Sequence, residues 1–448
     1  MIENSENSIN YVMKKASEND VKFVRLWFPD IFGNIKGFGI TVDELEKVLK
    51  DGASFDGAAI FGSERSKETE MVAFPDPSTF QILPWRPEGP SVSRLLCDIL
   101  HKDGTPSALD SRNILKSTLI KLKEEKLDFY VAPEIEYFYL EDSVSMTPID
   151  DKTYFDQIGT QKDSGSDLRR KTVLDLEKMG IPIQKYHHEV GPGQQEISLR
   201  YNDAITMADN IQTFKIVVKE VAMSENVFAT FMPKPFSEFE GSGMHTHISL
   251  FKNNKNVFAN EKSISGISKQ GEYFTAGLLK HVKEFMIITN QWVNSYSRTA
   301  ASNESPSHVY WSTIPDNGNL VTIPNRRSDS KDSSRIEFRL PDPGCNPYLT
   351  FAAIITAGLK GMKEKYPLEK PMESAFNKLD EKKITSLKRS KRLPENLGLA
   401  IQYAETSKLL EEILGKAAFE VYISGKKREW QLFSEQVSEF ELEHSINL

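Results

Sequence analysis

The chain has 448 residues, of which 39% are hydrophobic and 27% are charged, so a large core can be buried and global disorder is excluded. Lys and Arg total 56 and Asp and Glu total 64, which leaves a formal net charge of −8 and does not favour nucleic acid or an anionic membrane as a partner. The two cysteines, Cys97 and Cys345, are too few for a disulfide framework or a thiolate zinc site, and they predict a reducing, cytoplasmic location. The sequence has no signal-peptide pattern and no apolar run near the ~18 residues of a membrane span.

The N-terminal part has the pattern of a small mixed α/β unit. Residues 21–28 are rich in β-forming side chains, and turn residues then lead into a second such stretch over 35–40. The Thr-Val-Asp-Glu start of 41–49 has the spacing of a capping box, which predicts a short helix there. Residues 52–62 are predicted to form a loop.

Turn-forming residues 103–107 predict a boundary between a smaller domain, 1–104, and a larger domain, 105–448. Beyond this boundary, helical and strand patterns alternate. The spacing of apolar residues predicts helices over 113–126, 167–179, 210–227, 273–294, 349–362 and 397–414. The Lys- and Arg-rich passage 381–392 is interpreted as a solvated loop.

Four short strand-like segments carry polar side chains at alternate positions, opposite apolar rows. Because side chains two residues apart in a strand share a face, Glu134 and Glu136 are predicted to lie ~7 Å apart on one face. The other alternating side chains are Glu196, Ser198 and Arg200; His245, His247 and Ser249; and Arg335, Glu337 and Arg339. A glycine-proline turn separates Glu196 from Glu189. Each segment alone is typical of a sheet with one solvated face.

Together, the four segments favour a divalent metal site. Two carboxylates on one face repel each other unless a cation lies there, and oxygen and imidazole ligands without thiolates suit Mg²⁺ or Mn²⁺. Metals beside arginines suit phosphoryl groups, because the metals neutralise negative charge and the arginines bind the oxygens. The sequence has no P-loop and no Gly-x-Gly-x-x-Gly turn. From these residues alone, a metal-dependent hydrolase that uses the His-Thr-His segment remains an alternative.

Several short motifs occur in a fixed order along the chain. They are Phe55-Asp56-Gly57, Pro133-Glu134-Ile135-Glu136, His187-His188-Glu189, Pro192-Gly193-Gln194-Gln195-Glu196, Phe231-Met232-Pro233-Lys234-Pro235, Gly241-Ser242-Gly243-Met244-His245, Asn294-Ser295-Tyr296, Arg335-Ile336-Glu337-Phe338-Arg339 and Asn346-Pro347-Tyr348. In this order they make the chain similar to type I glutamine synthetases. The lack of a tyrosine between Tyr366 and Tyr403 resembles the shorter subtype that is not adenylylated.

The resemblance implies an α+β fold, with a small N-terminal β-grasp domain and a large catalytic α/β domain that contains a curved antiparallel sheet. It also implies a homo-oligomer, a dodecamer of two hexameric rings. Each active site would lie between neighbouring subunits, where the N-terminal domain of one covers the catalytic domain of the next.

The resemblance implies roles for individual residues. The implied ligands of a first metal are Glu136, Glu189 and Glu196, and those of a second metal, on the ATP phosphates, are Glu134, His245 and Glu337. The implied nucleotide-binding residues are Arg335, His247, Ser249 and Lys234. Glutamate would bind Arg298, Gly241 and Arg339, and Arg339 would also bind phosphate. Asp56 of a neighbouring subunit would deprotonate ammonium, and Glu304 would close the site.

The implied reaction uses ATP and two or three Mg²⁺ or Mn²⁺ ions to join ammonia to the γ-carboxylate of L-glutamate through γ-glutamyl phosphate. The sequence departs from the family pattern in several places, and residues 58–59, after the Phe-Asp-Gly motif, are alanines where serines are usual. Segment 299–303 has no glycine, and Thr322 stands where arginine is usual, with no arginine between Arg298 and Arg326. Two alternatives therefore stay open: a γ-glutamylamide ligase that uses an organic amine or polyamine, and a catalytically impaired regulatory paralogue.

Overall fold

The computed structural model describes most of the chain. The described residues are 4–60, 70–86, 90–151, 154–159, 163–260, 266–301, 305–314, 318–324, 333–372 and 391–448. Within these ranges, every helix is too short or too polar to cross a membrane. Most of the predicted loop 381–392 lies outside them. The described helices and strands confirm the predicted α+β fold.

The N-terminal part forms a sheet of six described strands. Its elements are α1 (Glu6–Glu18), β1 (Val21–Pro29), β2 (Ile35–Thr41), α2 (Leu45–Asp51), β3 (Ala53–Asp56), β4 (Glu70–Pro75), β5 (Gln81–Ile82) and β6 (Ser91–His101). The strands lie in the order β2-β1-β6-β4-β3, and β5 pairs with β6. β1 and β6 are parallel neighbours at the centre, whereas the other pairs are antiparallel. This mixed sheet agrees with the predicted β-grasp domain.

Two local predictions for this part are wrong. Thr41 does not cap a helix, because it ends β2, where it pairs with Phe23, and its side chain accepts no capping hydrogen bond. A short 3₁₀ turn follows, and α2 begins only at Leu45. Residues 53–56 form β3 instead of a loop, because β4 supplies hydrogen-bonding partners that the local sequence does not reveal.

The larger part is built on a sheet of ten described strands. These are β7 (Asp128–Leu140), β8 (Ile183–His188), β9 (Gln194–Leu199), β10 (Asn202–Asp203), β11 (Phe228–Thr230), β12 (Met244–Lys252), β13 (Lys255–Asn256), β14 (Trp311–Ser312), β15 (Val321–Thr322) and β16 (Ile336–Phe338). The main path is β14-β15-β16-β12-β7-β9-β8, with β10 and β11 on β7 and β13 on β12. All pairs are antiparallel except β14 with β15. The long strand β7 therefore has partners on both sides and lies near the middle of the sheet.

Helices pack on this sheet and on one another. They are α3 (Ser111–Glu124), α4 (Gly165–Lys178), α5 (Ala204–Ser224), α6 (Lys269–Thr289), α7 (Val293–Ala301), α8 (Pro347–Glu364), α9 (Leu397–Glu405), α10 (Lys408–Leu414), α11 (Lys416–Ser434) and α12 (Glu439–Ser445). The predicted single helix over 273–294 is two helices, α6 and α7, because Asn290 leaves helical geometry and its side chain donates to the Leu340 carbonyl (3.0 Å). The predicted helix over 397–414 is also two, because Ser407 caps the start of α10. The other predicted helices are present with shifted ends.

A buried ion network joins the two parts. Arg112, in the first turn of α3, donates to Asp98 of β6 (2.6 Å) and to Asp76 (2.8 Å), both in the N-terminal part. It also donates to Asp209 of α5 (2.9 Å), whose other carboxylate oxygen accepts from the Tyr348 hydroxyl (2.7 Å). The Arg112 side chain is 2% exposed. One guanidinium therefore holds carboxylates from both parts of the chain.

We propose that residues 1–104 and 105–448 form the two domains. Gly104, with φ +81°, follows the last N-terminal strand, and its N–H donates to the His101 carbonyl (2.9 Å) to close a turn. Polar segments rich in glycine and proline are typical of domain boundaries.

Candidate active site

Strand register brings the predicted carboxylates and histidines together. Glu134 pairs with His245 of β12 on one side of β7, and Glu136 pairs with Glu196 of β9 on the other side. Adjacent strands are ~4.8 Å apart, so each such pair brings two side chains within reach of one ion. Alternation along β7 and its register with both neighbours together place these four side chains in one region.

One carboxylate–histidine group lies at the β8–β9 hairpin. Ligand atoms of His187, Glu189 and Glu196 lie within 4.8 Å of one another. His187 Nε2 is 3.4 Å from Glu196, and its Nδ1 is 3.8 Å from Glu189. Glu136 belongs with them, because burial and the charges of Glu189 and Glu196 raise its pKa. We call these four residues the first acidic group.

A second carboxylate–histidine group lies where β7, β12 and β16 meet. Ligand atoms of Glu134, His247 and Glu337 lie within 4.8 Å of one another, and His247 Nε2 is 3.3 Å from Glu134. His245 Nδ1 is 3.9 Å from both Glu134 and Glu337, and its Nε2 is 4.0 Å from Glu136. His245 therefore lies between the two groups. We call Glu134, His245, His247 and Glu337 the second acidic group.

The electrostatics of both groups fit divalent cations. Burial is the main cause of the raised Glu136 pKa, and the charges of Glu189 and Glu196 raise it further, so this carboxylate lacks sufficient positive charge nearby. At Glu134, burial opposes ionisation, but His247 and Lys185 outweigh it and lower the pKa. Lys185 Nζ is 3.5 Å from Glu134 and 3.2 Å from Glu196, so a single ammonium spans the two groups. A divalent ion in the first group would supply the additional positive charge, whereas the second group keeps Glu134 ionised and so able to bind a cation.

The imidazole of His245 is suited to metal binding. Burial lowers its pKa, and the charges of Arg339 and Arg298 lower it further. A neutral ring can offer a nitrogen lone pair to a metal, whereas a protonated ring cannot. Carboxylate oxygens with neutral imidazole and no thiolate are the donors that Mg²⁺ and Mn²⁺ accept.

Arginines lie beside the second acidic group. Arg339, which directly follows β16, donates from Nη1 to Glu337. Arg335 Nε donates to His247 Nδ1 (3.3 Å), which leaves Nε2 of this imidazole facing Glu134. Guanidinium groups at the edge of a carboxylate-rich site can bind the oxygens of a phosphoryl group.

A third arginine, Arg298, is buried beside two glycines. Its Nη1 donates to the Leu340 carbonyl (2.9 Å). A Cβ at Gly243 would lie 2.6 Å from Arg298 Nη2, and a Cβ at Gly241 would collide with the Pro233 carbonyl. The Pro233 main chain therefore requires glycine at 241, and Gly243 leaves room for the Arg298 guanidinium.

Comparison with known proteins identifies the family. A family model described as "Glutamine synthetase, beta-Grasp domain" matches residues 20–102, and one described as "Glutamine synthetase, catalytic domain" matches residues 108–445. The chain belongs to the glutamine synthetase family. The resemblance that the motifs carry is thereby confirmed, together with the β-grasp and catalytic parts of the fold.

Relatives named "Glutamine synthetase" match almost the whole chain. The chain is 41% identical to that of Mycolicibacterium smegmatis (98% of this chain, 99% of the relative) and 41% identical to that of Clostridium saccharobutylicum (97% and 98%). It is 39% identical to that of Methanosarcina mazei (98% and 97%). The similarity covers both sheets and all of the described site.

Solved structures share this fold over almost the whole chain. The structure named "GmaS/ADP complex-Conformation 1" matches with a TM-score of 0.86 at 28% identity, over 98% of this chain and 99% of that chain. The cryo-EM structure of Plasmodium falciparum glutamine synthetase matches with a TM-score of 0.86 at 25% identity, over 99% of both chains.

Lys234 and Ser249 have nucleotide-binding roles that the glutamine synthetase resemblance implies. The Lys234 ammonium is buried and donates to the Phe239 carbonyl, and Ser249 Oγ donates to the Ser334 carbonyl (3.3 Å). Glu304 lies outside the described residues.

Asp56 lies in the N-terminal sheet. It ends β3, is exposed, and accepts a hydrogen bond from the Ala58 N–H (2.9 Å). Among the described residues, Asp56 is in neither carboxylate–histidine group of its own chain. This position is compatible with a site that a second subunit completes.

Thr322 is predicted from the resemblance to stand where arginine is usual. It pairs with Glu337 across β15 and β16, and its side chain is buried. Its Oγ1 has no hydrogen-bond partner among the described residues. The guanidinium that the structure brings to Glu337 is that of Arg339, which directly follows β16.

The sequence prediction of site residues misses two basic side chains. Lys185 spans the two acidic groups, and His187 lies opposite Glu196 in the β8–β9 register. Lys185, His187 and Glu189 alternate along the chain in the same way as Glu134 and Glu136. That alternation is the signal that extends the polar face to β8.

Proposed function

We propose that the chain joins ammonia to the γ-carboxylate of L-glutamate through γ-glutamyl phosphate, with conversion of ATP to ADP and phosphate, and so forms L-glutamine. As a member of the glutamine synthetase family, it is a glutamate–ammonia ligase. The observation that carries the proposal is the arrangement of the two acidic groups on neighbouring strands, with His245 between them and Arg298 and Arg339 beside them.

Mg²⁺ or Mn²⁺ ions are the proposed cofactors. One ion would be held by Glu136, Glu189 and Glu196, and another by Glu134, His245 and Glu337. When bound, such ions neutralise negative charge on a phosphoryl group during its transfer. The burial of Glu136 beside Glu189 and Glu196, which raises its pKa, and the neutral ring of His245 support this assignment.

Glutamate is proposed to bind against Arg298 and Gly241, with Arg339 nearby. Arg298 Nε is buried and has no hydrogen-bond acceptor among the described residues. A buried donor without an acceptor is costly, so a substrate carboxylate oxygen at this place would stabilise the site. Arg339 would hold the substrate and the transferred phosphate, because it already contacts Glu337 of the second acidic group.

ATP is proposed to bind at the β12 and β16 side of the site. Arg335 and His247 hydrogen-bond to each other there, and Ser249 follows on the same face of β12. These side chains would bind nucleotide oxygens. Lys234 would also bind the nucleotide, as the family resemblance implies.

Ammonium is proposed to bind Asp56 of a neighbouring subunit, because a carboxylate first attracts this small cation and then accepts its proton. The ammonia so formed would attack the acyl carbon of γ-glutamyl phosphate, and phosphate would leave with the former carboxylate oxygen. Glu304 would close the site, which keeps the acyl phosphate from water. The two cysteines are buried free thiols, which supports the proposed cytoplasmic location.

A coupled ADP-release assay tests the proposed reaction. We expect ADP release with glutamate, ATP, Mg²⁺ or Mn²⁺ and ammonium, with one glutamine formed for each ADP. A panel of organic amines and polyamines replaces ammonium in parallel reactions. Release of ADP with polyamines but not with ammonium would replace the proposal by a γ-glutamylamide ligase. No release with any amine at saturating metal would indicate a regulatory paralogue.

We also propose that the chain forms a homo-oligomer, a dodecamer of two hexameric rings. The C-terminal helix α12 has no buried residue in the single chain. Its apolar side chains and those next to it are exposed, namely Val437, Phe440, Leu442, Ile446 and Leu448. Apolar side chains concentrated on one exposed segment are typical of an interface, and a second copy of the chain would cover them.

Light scattering tests this assembly. We expect the double variant Phe440→Ser, Ile446→Ser to give a smaller mass than the wild type, because it removes apolar area from the interface. The variant Glu443→Ser, which changes a polar residue of the same helix, is the control and should keep the wild-type mass. A monomeric wild type, or an unchanged dodecamer in the double variant, would contradict this role of α12.

A further inference from the structure

A buried charge network lies behind the β8–β9 hairpin. His188 is adjacent to Glu189 in sequence, and its side chain is fully buried. Its Nε2 donates to Asp150 Oδ1 (2.9 Å), and its Nδ1 donates to the Glu189 carbonyl (2.5 Å). The ring therefore connects Asp150 to the main chain of a residue in the first acidic group.

Asp150 also holds the other side of the hairpin turn. Its Oδ1 accepts a hydrogen bond from the Gly193 N–H (2.6 Å), and its Oδ2 accepts from the N–H of Gly165 in the first turn of α4 (3.4 Å). Gly193 has φ +67°, and a Cβ there would collide with the Tyr139 carbonyl, so glycine is needed. A single carboxylate thus bonds to both ends of the turn and to a helix N-terminus.

Arg169 connects the same network to β9, the strand that carries Glu196. It donates to Gln195, the residue before Glu196, and to Asp163 (2.7 Å) and Asp156 (2.8 Å). The Asp156 carboxylate in turn accepts from the His188 main-chain N–H (2.9 Å). The guanidinium is completely buried.

This network has the residue types of a metal site but not its charge. Ligand atoms of Asp150, Asp163 and His188 lie within 4.8 Å of one another. However, Arg169 neutralises Asp163, and both ring nitrogens of His188 face oxygen acceptors, so neither nitrogen offers a lone pair. The hydrogen bonds and ion pairs within the network stabilise these carboxylates, so a metal ion is not needed for that purpose.

We propose that Asp150 and His188 are positioning residues that set the divalent-cation affinity of the first acidic group by fixing the hairpin that carries Glu189 and Glu196. The inference rests on the proposed function, in which this group binds a divalent ion. Neither Asp150 nor His188 is proposed to contact the ion. Residues that orient metal ligands in this way typically change metal affinity about 10–100-fold when replaced.

The test measures Mn²⁺ binding by electron paramagnetic resonance on the full-length protein without substrates. For Asp150→Asn, we expect binding about 10–100-fold weaker than in the wild type. His188→Gln is the second variant, and the same weakening is expected there. Because the ligands themselves remain, saturating Mn²⁺ should restore kcat in both variants. A residue that supports only the fold would not shift the metal dependence in this way.

Two further variants separate the possible failures. Asp209→Asn changes another buried, ion-paired aspartate and should lower stability without changing Mn²⁺ affinity. Glu196→Gln removes a proposed ligand and should abolish binding at this site. Wild-type affinity in both Asp150→Asn and His188→Gln, with loss in Glu196→Gln, would overturn the positioning role and leave the proposed function intact. Equal affinity in wild type and Glu196→Gln would overturn the metal site, and the positioning role with it.

Discussion

Glu196→Gln is expected to lower kcat/KM for glutamate by about a thousandfold, since loss of about 4 kcal/mol of charge stabilisation in the transition state corresponds to this factor. Glu196 lies in the first acidic group, opposite Glu136 in the strand register and 3.4 Å from His187. Glutamine keeps the size of the side chain but removes the charge that would bind a divalent ion. The expected loss is therefore one of metal binding and not of packing.

Steady-state kinetics over a range of Mn²⁺ concentrations measure this loss. Glu225→Gln is the matched control, because Glu225 is exposed at the C-terminal end of α5, where it pairs with Lys171 on the surface. Its kcat/KM should equal that of the wild type. If Glu196→Gln keeps its kcat/KM within tenfold of the wild-type value, then the first acidic group does not hold a catalytic metal.

Arg112→Met is expected to lower the free energy of unfolding by about 3–5 kcal/mol, because removal of one partner from a buried ion pair leaves uncompensated charge. Here the uncompensated charges would be the carboxylates of Asp76, Asp98 and Asp209, which Arg112 holds at 2.6–2.9 Å. Lys116 would remain beside Asp98 (2.6 Å) but does not reach all three. Since these carboxylates come from both parts of the chain, we expect the N-terminal part to unfold first.

Urea unfolding monitored by circular dichroism measures the change. Arg170→Met is the control, because Arg170 is exposed and forms a surface pair with Asp167 (3.3 Å). Exposed pairs contribute only about 0–1 kcal/mol, so this variant should unfold nearly as the wild type does. Equal losses of unfolding free energy in both variants would show that the buried network stabilises the chain no more than a surface ion pair does.

The faces of the site strands can be predicted from the sequence, because alternation is a local property. Glu134 and Glu136 share a face as soon as their segment is a strand, and so do His245 and His247. The neighbours of each strand are not a local property. Only the fold reveals that Glu136 lies opposite Glu196, while Glu134 lies opposite His245. The ligand sets come from the family resemblance, since spacing alone leaves several pairings open.

Long-range contacts also explain why the sequence prediction misses Lys185 and the helix break at Asn290. Lys185 looks like a surface lysine in the sequence, and its role follows from two carboxylates on different strands. The break at Asn290 depends on the Leu340 carbonyl, fifty residues away, and the periodic pattern continues across it. In both cases a residue distant in sequence supplies the interaction that decides the structure.

The transfer of oxygen from glutamate to phosphate tests the central claim most directly. In the proposed reaction a γ-carboxylate oxygen attacks the terminal phosphorus of ATP, and the same oxygen leaves with phosphate when ammonia attacks the acyl carbon. With glutamate labelled by ¹⁸O in the γ-carboxylate, we expect one labelled oxygen in each phosphate released, in equal amount to the glutamine formed. Glutamine accompanied by unlabelled phosphate, or phosphate released without glutamine, would contradict the account.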